Sequence, residues 1–265
     1  MRRPGPVALP IPLPIAALAV KRAPKSGAKK PEVRIEPGID FEATHVVYHV
    51  TVRNRGQGTA RDVVITPAIL HGPFVLDGPP KAVPVLKPGT FGTASFRIDA
   101  QGEPGELEVG ARIAYWDREA DRGHEASAPP MRIDLRPPAT RPVYLAPAAL
   151  RERASRSLSA EEAFDLPIDA ERAFPVVAAA LAREGLERVE EMTYTRGHEF
   201  VGQASFHGLD RRRNSFAVRV VASRKGAAST LKLHVFVQAE ESLFGFAWRV
   251  REAVHRAAGV PVHQP

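Results

Sequence analysis

Four residues near the C-terminus could form a protein-binding ridge. Phe244, Trp248, Arg251 and His255 follow one another at spacings of 4, 3 and 4 residues. Residues at such spacings lie on one side of an α-helix. Aromatic and arginine side chains often contribute most to protein–protein binding, so the ridge is the first candidate docking surface. The alternative is structural, because large aromatic side chains are mostly buried and Trp248 could pack on the linker or on the sandwich.

A second candidate site is a basic sheet face. Apolar residues alternate with polar ones over residues 215–239, which places the two sets on opposite faces of a sheet. The face away from the apolar set carries Arg219, Lys232 and Phe236, and the turn Arg211-Arg212-Arg213 lies nearby in sequence. A basic face with an aromatic residue can stack bases or bind an anion. It can equally be a solvated face or a dimer surface.

Patterns typical of enzymes and metal sites are missing from the sequence. The chain has no cysteine, which excludes thiol chemistry and disulfides. It has no His-Glu-x-x-His helix, no phosphate-binding loop and no Gly-x-Ser-x-Gly elbow. His45 and His49 would lie about 13 Å apart on a strand, too far apart to share one metal ion. We therefore expect no catalytic residue, no metal and no cofactor.

The elements that must position these residues fall into two groups, which predicts two domains. Before residue 145, short alternating strands are joined by Pro- and Gly-rich turns, the pattern of an all-β sandwich. After it, the pattern predicts an α+β domain in the order β-α-β-β-β-β-α, with Asp169 capping the first helix. A strand over 164–168 should precede that helix, and the last helix should span 242–258. Pro175 should either kink the first helix or mark a late start of it.

Two resemblances follow from these elements. The stretch from Tyr48 to Val63, with Leu86-Lys-Pro-Gly89 and Ile113-Ala-Tyr-Trp-Asp117, resembles the CARDB-like and DUF11-like adhesion modules of bacteria and archaea. This implies an immunoglobulin-like sandwich over about residues 15–136, usually a spacer or docking module. The residue types themselves predict that Asn54, Gly56 and Gly58 tolerate the positive φ of a turn. The second domain is similar to the TBP-like class, in which two helices cover one sheet face and leave the other open.

The order of the two predicted domains is itself similar to a known arrangement. A sandwich followed by a TBP-like platform resembles the appendage of clathrin adaptors, which captures short peptide motifs. No appendage sequence motif accompanies this order, so the similarity is an analogy of architecture.

The N-terminal segment carries the excess positive charge. The net charge is +7, and residues 1–30 contain seven basic and no acidic side chains. Arg2 and Arg3 precede an apolar run, as in a secretory signal, whereas Pro10, Pro12 and Pro14 would interrupt its helix. Residues 1–19 are therefore either a cleaved signal or a tail plus the first strand, and a cytoplasmic location is favoured over export. No apolar run is long enough to span a bilayer.

The predicted organisation is a basic Pro-rich tail (1–14), the sandwich (15–136), a Pro-rich linker (137–159) and the α+β platform (160–260). The predicted function is a non-enzymatic binding or scaffold protein that docks another protein through the platform. The alternative is a protein that binds anions or nucleic acid with the open sheet face and the basic tail.

Overall fold

The computed structural model describes residues 29–42 and 45–260. The predictions for the tail, the signal and the first strand within residues 1–28 lie outside the described residues. The described part is rich in antiparallel strands and contains three α-helices.

Residues 33–134 form a β-sandwich of two antiparallel sheets. The first sheet has the order β1-β2-β6-β4, with β1 at Val33–Glu42, β2 at His45–Asn54, β6 at Phe91–Ala100 and β4 at Phe74–Asp77. The second has the order β5-β3-β7-β8, with β5 at Lys81–Leu86, β3 at Ala60–His71, β7 at Glu106–Asp117 and β8 at Arg122–Ser127. Strand β9 (Met131–Asp134) pairs with the first part of β7.

The sandwich core follows the predicted alternation. Tyr48, Val50 and Val52 of β2 are buried, and they share one cluster with Phe96 of β6 and Ile113 of β7. Because a strand turns successive side chains to opposite faces, residues from both sheets fill the space between them. The expectation of a β-sandwich is confirmed at this level.

The turn after β2 is closed by Asn54 and by close backbone approach. The buried Asn54 amide donates to the carbonyls of Gly58 (2.7 Å) and Leu86 (2.9 Å), and its oxygen accepts from two backbone N–H groups. A Cβ on Gly56 would lie 2.2 Å from the Lys30 carbonyl oxygen. Asn54, Gly56 and Gly58 all lack a positive φ, so the predicted reason for these residues is wrong. The two glycines are needed because the chain at residues 29–32 passes too close for a side chain.

The segment predicted as a linker is folded against the rest of the molecule. Strand β10 (Arg141–Pro142) pairs with β13, and helix α1 occupies Pro147–Ala154. The Arg249 guanidinium donates to the Pro138 carbonyl and, at 2.8 Å, to the Thr140 hydroxyl. Residues 137–159 are therefore held in place by hydrogen bonds and by packing.

The remaining elements form an antiparallel sheet with two helices on one face, which we call the platform. In chain order they are β11 (Leu158–Asp165), α2 (Ala170–Arg183), β12 (Glu187–Arg196), β13 (Glu199–Leu209), β14 (Ser215–Lys225), β15 (Ala228–Val237) and α3 (Leu243–Ala258). The sheet order is β12-β13-β14-β15-β11. The observed element order agrees with the predicted one, although β11 begins six residues before the predicted strand at 164.

Helix α2 begins and ends where its sequence signals place it. The Asp169 side chain accepts a hydrogen bond from the Glu171 N–H at 2.9 Å, which caps the helix. Gly185 follows the helix with a φ of +76°, the left-handed conformation that glycine tolerates. Pro175 lies inside α2, which is one unbroken helix from Ala170 to Arg183.

Helix α3 connects the platform to the sandwich. Phe244 in its first turn belongs to the sandwich core cluster, with its ring 6.5 Å from that of Phe74. A Cβ on Gly245 would lie 2.5 Å from the Leu135 carbonyl oxygen, so the helix backbone approaches the end of the sandwich closely. The two predicted domains therefore share an apolar contact.

Candidate functional site

The predicted ridge on α3 is not one exposed surface. Phe244 is 1% exposed and His255 is 8% exposed, whereas Trp248 and Arg251 are half-buried. The prediction of an accessible ridge is therefore wrong for its first and last members. Phe244 is covered because the sandwich lies against the first turn of α3, a contact that helical spacing alone does not reveal.

The C-terminal half of the ridge faces strand β11. The ring of Phe164 meets His255 edge-on, with centroids 4.7 Å apart. Burial raises the pKa of the Glu162 carboxyl, and the positive charge of Arg251 partly opposes that rise. These contacts identify Arg251 and His255 as residues that pack α3 onto the sheet.

The two faces of the platform sheet are divided as the alternation predicted. Phe216, Val218 and Val220 of β14 are buried beneath the helices. Arg219 and Lys232 are exposed, and Phe236 is half-buried. We call the side that carries these three residues the outer face.

The prediction that the outer face is open is wrong in part, because helix α1 lies over one region of it. Leu150 of α1 is buried. It lines a cavity of about 350 Å³ together with Ala154, Ala217 and Phe236. We call this cavity the α1 pocket. Its apolar floor comes from both the helix and the sheet, and it is large enough for a single bulky side chain.

Polar side chains surround the α1 pocket. Arg151 of α1 forms an ion pair with Glu190 of β12, with the charged atoms 3.1 Å apart. The Ser205 hydroxyl donates to the same carboxylate at 3.2 Å. Arg219 donates to the side-chain oxygen of Gln203 at 2.8 Å. The pocket therefore combines an apolar floor with a hydrogen-bonding rim.

Arg219 and Lys232 are the two basic residues of the outer-face set defined above. Within residues 29–42 and 45–260, neither side chain forms an ion pair with a carboxylate. The partner of Arg219 is a neutral amide, which satisfies a donor without neutralising the guanidinium. A negatively charged group of a ligand in the pocket would thus meet the unneutralised guanidinium of Arg219, which lines it, whereas Lys232 lies farther along the outer face.

The structure separates the predicted anion-binding residues into two groups. Arg219, Lys232 and Phe236 share the outer face, where Phe236 stacks on His234 with centroids 6.5 Å apart. Arg211, Arg212 and Arg213 are exposed in the turn between β13 and β14. Arg219 lies four residues into β14 from Ser215, which corresponds to roughly 13 Å along the strand from the end at which the turn lies. The triple-arginine turn is therefore a separate surface.

His207 fastens the segment before α1 to the sheet. This histidine is buried, its Nδ1 lies 2.8 Å from the Val143 carbonyl oxygen, and its Nε2 lies 2.9 Å from the Ser215 hydroxyl. Because a carbonyl only accepts, Nδ1 carries the proton and Nε2 accepts from Ser215. Burial lowers the pKa of the His207 imidazole. The Ser215–His207 pair lies outside the lining of the α1 pocket and joins Val143 to the first residue of β14.

Sequence reasoning missed the contribution of α1 and of strand β12. Leu150 lay in the predicted linker, and nothing in its local pattern indicated that this helix would cover a sheet. Met192 and Tyr194 of β12 are exposed on the outer face, where they pair with Gln203 and Val201 of β13. Their alternation with Glu191, Thr193 and Thr195 is a sequence signal that could have identified them.

The described ranges show neither a cluster of metal-ligating side chains nor a membrane-spanning helix. Among these residues, no group of three or more His, Asp or Glu side chains is arranged to hold a metal ion. The described helices are also too short or too polar to cross a membrane.

Comparisons with known proteins do not assign this chain to a family. No family model and no curated protein matches the chain. Among solved structures, native alpha-2-macroglobulin from Escherichia coli aligns over 58% of this chain and 26% of its own, at 16% identity and a TM-score of 0.34. The sporulation control protein Spo0M from Bacillus subtilis aligns over 88% of this chain and all of its own, at 13% identity and a TM-score of 0.22.

A third solved structure is the secreted serine protease VesC from Vibrio cholerae. It aligns over 78% of this chain and 47% of its own, at 9% identity and a TM-score of 0.23. All three TM-scores are below 0.5, so none of these likenesses bears on the activity of this chain.

Proposed function

We propose that this chain is a non-enzymatic binding or scaffold protein that docks another protein on the outer face of its platform. The α1 pocket is the observation that carries this proposal, because it joins an apolar floor to a hydrogen-bonding rim. Such a combination of a central apolar anchor site and a polar surround is typical of protein-binding hot spots. The proposed docking surface is thus on the opposite side of the platform from the ridge on α3 that the sequence predicted.

We infer that the sandwich is an immunoglobulin-like module of the CARDB-like or DUF11-like kind and that the platform is TBP-like. The order of elements and the two helices on one sheet face support this. The arrangement as a whole is then analogous to that of clathrin adaptor appendages, with the sandwich as a spacer that presents the platform.

A comparison of two surface variants tests the docking proposal. Ala217→Arg places a long charged side chain in the α1 pocket, whereas Arg211→Ala alters the exposed turn and leaves the pocket intact. A partner captured by the wild type should bind the Ala217→Arg variant at least tenfold more weakly, since a central anchor contributes about 2 kcal/mol or more. It should bind the Arg211→Ala variant with unchanged affinity. Equal binding to all three proteins would exclude the pocket as the docking site.

Binding of anions or nucleic acid is the second candidate function, supported by the unneutralised charges of Arg219 and Lys232 beside Phe236. Phosphate contacts make affinity fall steeply with salt. If these residues contact phosphates, a single-stranded oligonucleotide should bind, and each of Arg219→Ala and Lys232→Ala should reduce the slope of log K against log salt by about one. Binding that is insensitive to salt would favour the protein-docking proposal instead.

A further inference from the structure

Strand β12 is an unprotected edge of the platform sheet. Within the described residues it pairs with β13 and with no other strand. It runs from Glu187 to Arg196, and all residues from 191 to 196 are exposed. An edge strand presents a row of unpaired backbone N–H and C=O groups, which another strand can use as a template.

The apolar side chains of β12 point away from the hydrophobic core. Met192 and Tyr194 pair with Gln203 and Val201 of β13, which places them on the outer face, and they are 59% and 53% exposed. The helix-side positions hold Glu191, Thr193 and Thr195 instead. The alternation of β12 is thus reversed relative to β14, whose apolar residues face the helices. An added strand would bury the apolar pair.

The sequence of β12 is complementary to itself when read antiparallel about Thr193. In that register Glu190 lies opposite Arg196, and Met192 lies opposite Tyr194. All four side chains are on the outer face, because residues directly opposite in an antiparallel pair share a face. Two copies related by a twofold axis would therefore form two ion pairs and two apolar pairs along one edge.

The other edge of the sheet lacks this complementarity. Strand β11 carries Glu161, Glu162 and Asp165 and no lysine or arginine. Pairing of β11 with a second β11 would bring carboxylates close together, and like charges across strands are destabilising. The two edges therefore differ, and β12 is the one suited to a second copy of this chain.

We propose that two copies of this protein associate through antiparallel pairing of their β12 strands, with the twofold axis at Thr193. The two platform sheets then form one continuous sheet, and both α1 pockets open on the same face of it. This goes beyond the proposed docking function, since self-association requires no partner. A partner with two binding motifs would gain affinity from the dimer through effective concentration.

Single cysteines provide the sharpest test, because the natural chain has none. In the proposed register the two Thr193 residues face each other with Cα atoms about 4.5 to 5.5 Å apart, within the range of a disulfide. Thr193→Cys should therefore form a disulfide-linked dimer under mild oxidation, seen by nonreducing electrophoresis. Thr195→Cys is the matched control. It lies on the same strand and face, but its two copies would be about 13 Å apart and should remain unlinked.

Two results of the cysteine experiment would overturn the proposal. One is equal cross-linking of the two variants, which indicates random collision. The other is the absence of a linked dimer for Thr193→Cys. Neither result depends on partner binding. A failed cross-linking experiment would therefore contradict only the dimer proposal, and a failed binding experiment with Ala217→Arg would contradict only the docking proposal.

A charge exchange tests the register independently. In the Arg196→Glu variant, the new carboxylate at position 196 of each copy lies opposite Glu190 of the other copy. The dissociation constant of the dimer, measured by sedimentation, should therefore rise roughly fivefold or more. The double variant Glu190→Arg with Arg196→Glu should recover affinity, because each opposed pair again has opposite signs. An unchanged constant for Arg196→Glu would exclude this register. Since Glu190 also bonds to Arg151 and Ser205, thermal melting of the double variant reports any loss of folding separately.

Discussion

At the residue scale, two buried polar side chains hold the irregular parts of this molecule. Asn54 joins the turn after β2 to the end of β5 and to the residue before β1, and His207 joins the segment before α1 to the platform sheet. Both side chains have their donors and acceptors satisfied. Removing either would leave buried partners without hydrogen bonds, which costs more than the bonds themselves contribute.

We predict that Asn54→Ala lowers the free energy of unfolding by about 3 kcal/mol or more, since each buried hydrogen bond contributes about 1 kcal/mol and the orphaned carbonyls add a penalty. Urea unfolding followed by circular dichroism measures this loss. Asn214→Ala is the matched control, because Asn214 bonds to Asp210 in a partly exposed turn and should cost less than about 1 kcal/mol. Equal losses for the two variants would contradict the role assigned to Asn54.

His207 should make stability depend on pH below neutrality. Its pKa in the folded state is lowered from 6.5 by burial, so the unfolded chain binds more protons as the pH falls below that value. The folded state therefore loses stability as the pH drops below 6.5. His207→Gln cannot titrate, and its unfolding free energy should decline less steeply between neutral and mildly acidic pH. Parallel pH profiles for the two proteins would show that His207 does not contribute.

At the element scale, helix α3 contributes side chains to the hydrophobic cores of both the platform and the sandwich. Most of its apolar residues cover the platform sheet, whereas Phe244 enters the sandwich. The close approach of Gly245 to the Leu135 carbonyl requires a residue without a side chain at that position. The first turn of α3 is therefore a structural joint, and this explains why the aromatic residue that begins the predicted ridge is hidden.

We predict that Phe244→Ala costs about 3 to 5 kcal/mol of unfolding free energy, the range for removing a buried phenylalanine. Phe91→Ala removes the same ring from an exposed position and should cost less than about 1 kcal/mol. Chemical denaturation of both variants measures the difference. A small loss for Phe244→Ala would mean that α3 does not anchor the platform to the sandwich.

At the scale of the whole molecule, the sandwich and the platform are connected by more than the chain. The segment from 137 to 159 is bound by β10, α1 and the side chain of Arg249, and Phe244 crosses between the two parts. The division into two independently folding domains stays a prediction. These contacts favour joint unfolding, because loss of either part would expose Phe244.

Two tryptophans allow joint unfolding to be measured directly. Trp116 lies in the sandwich and Trp248 lies on α3 of the platform. Each can be made the sole tryptophan by replacing the other with phenylalanine. We predict that fluorescence of the two single-tryptophan proteins reports the same denaturation midpoint, and that adding Phe244→Ala separates the midpoints. Separate midpoints without that substitution would instead indicate two autonomous domains joined by a hinge.

The sequence by itself determined the order of the main platform elements and the sidedness of the strands whose residues alternate, although it did not reveal helix α1 or strand β10. Alternation placed Tyr48 and Val50 in the sandwich and separated Val218 from Arg219, because a strand imposes period two on any residue it contains. Asp169 and Gly185 marked the two ends of α2. They could do so because helix capping depends on residues that are neighbours in the chain.

Only the tertiary structure decided which faces remained accessible. Helix α1 covers part of the outer face through Leu150, and the sandwich buries Phe244, although both residues lie in segments whose local patterns suit exposure. These contacts join residues far apart in sequence, and their existence depends on how whole elements pack. Periodicity assigns a side chain to a face, but burial of that face depends on what the rest of the chain places against it.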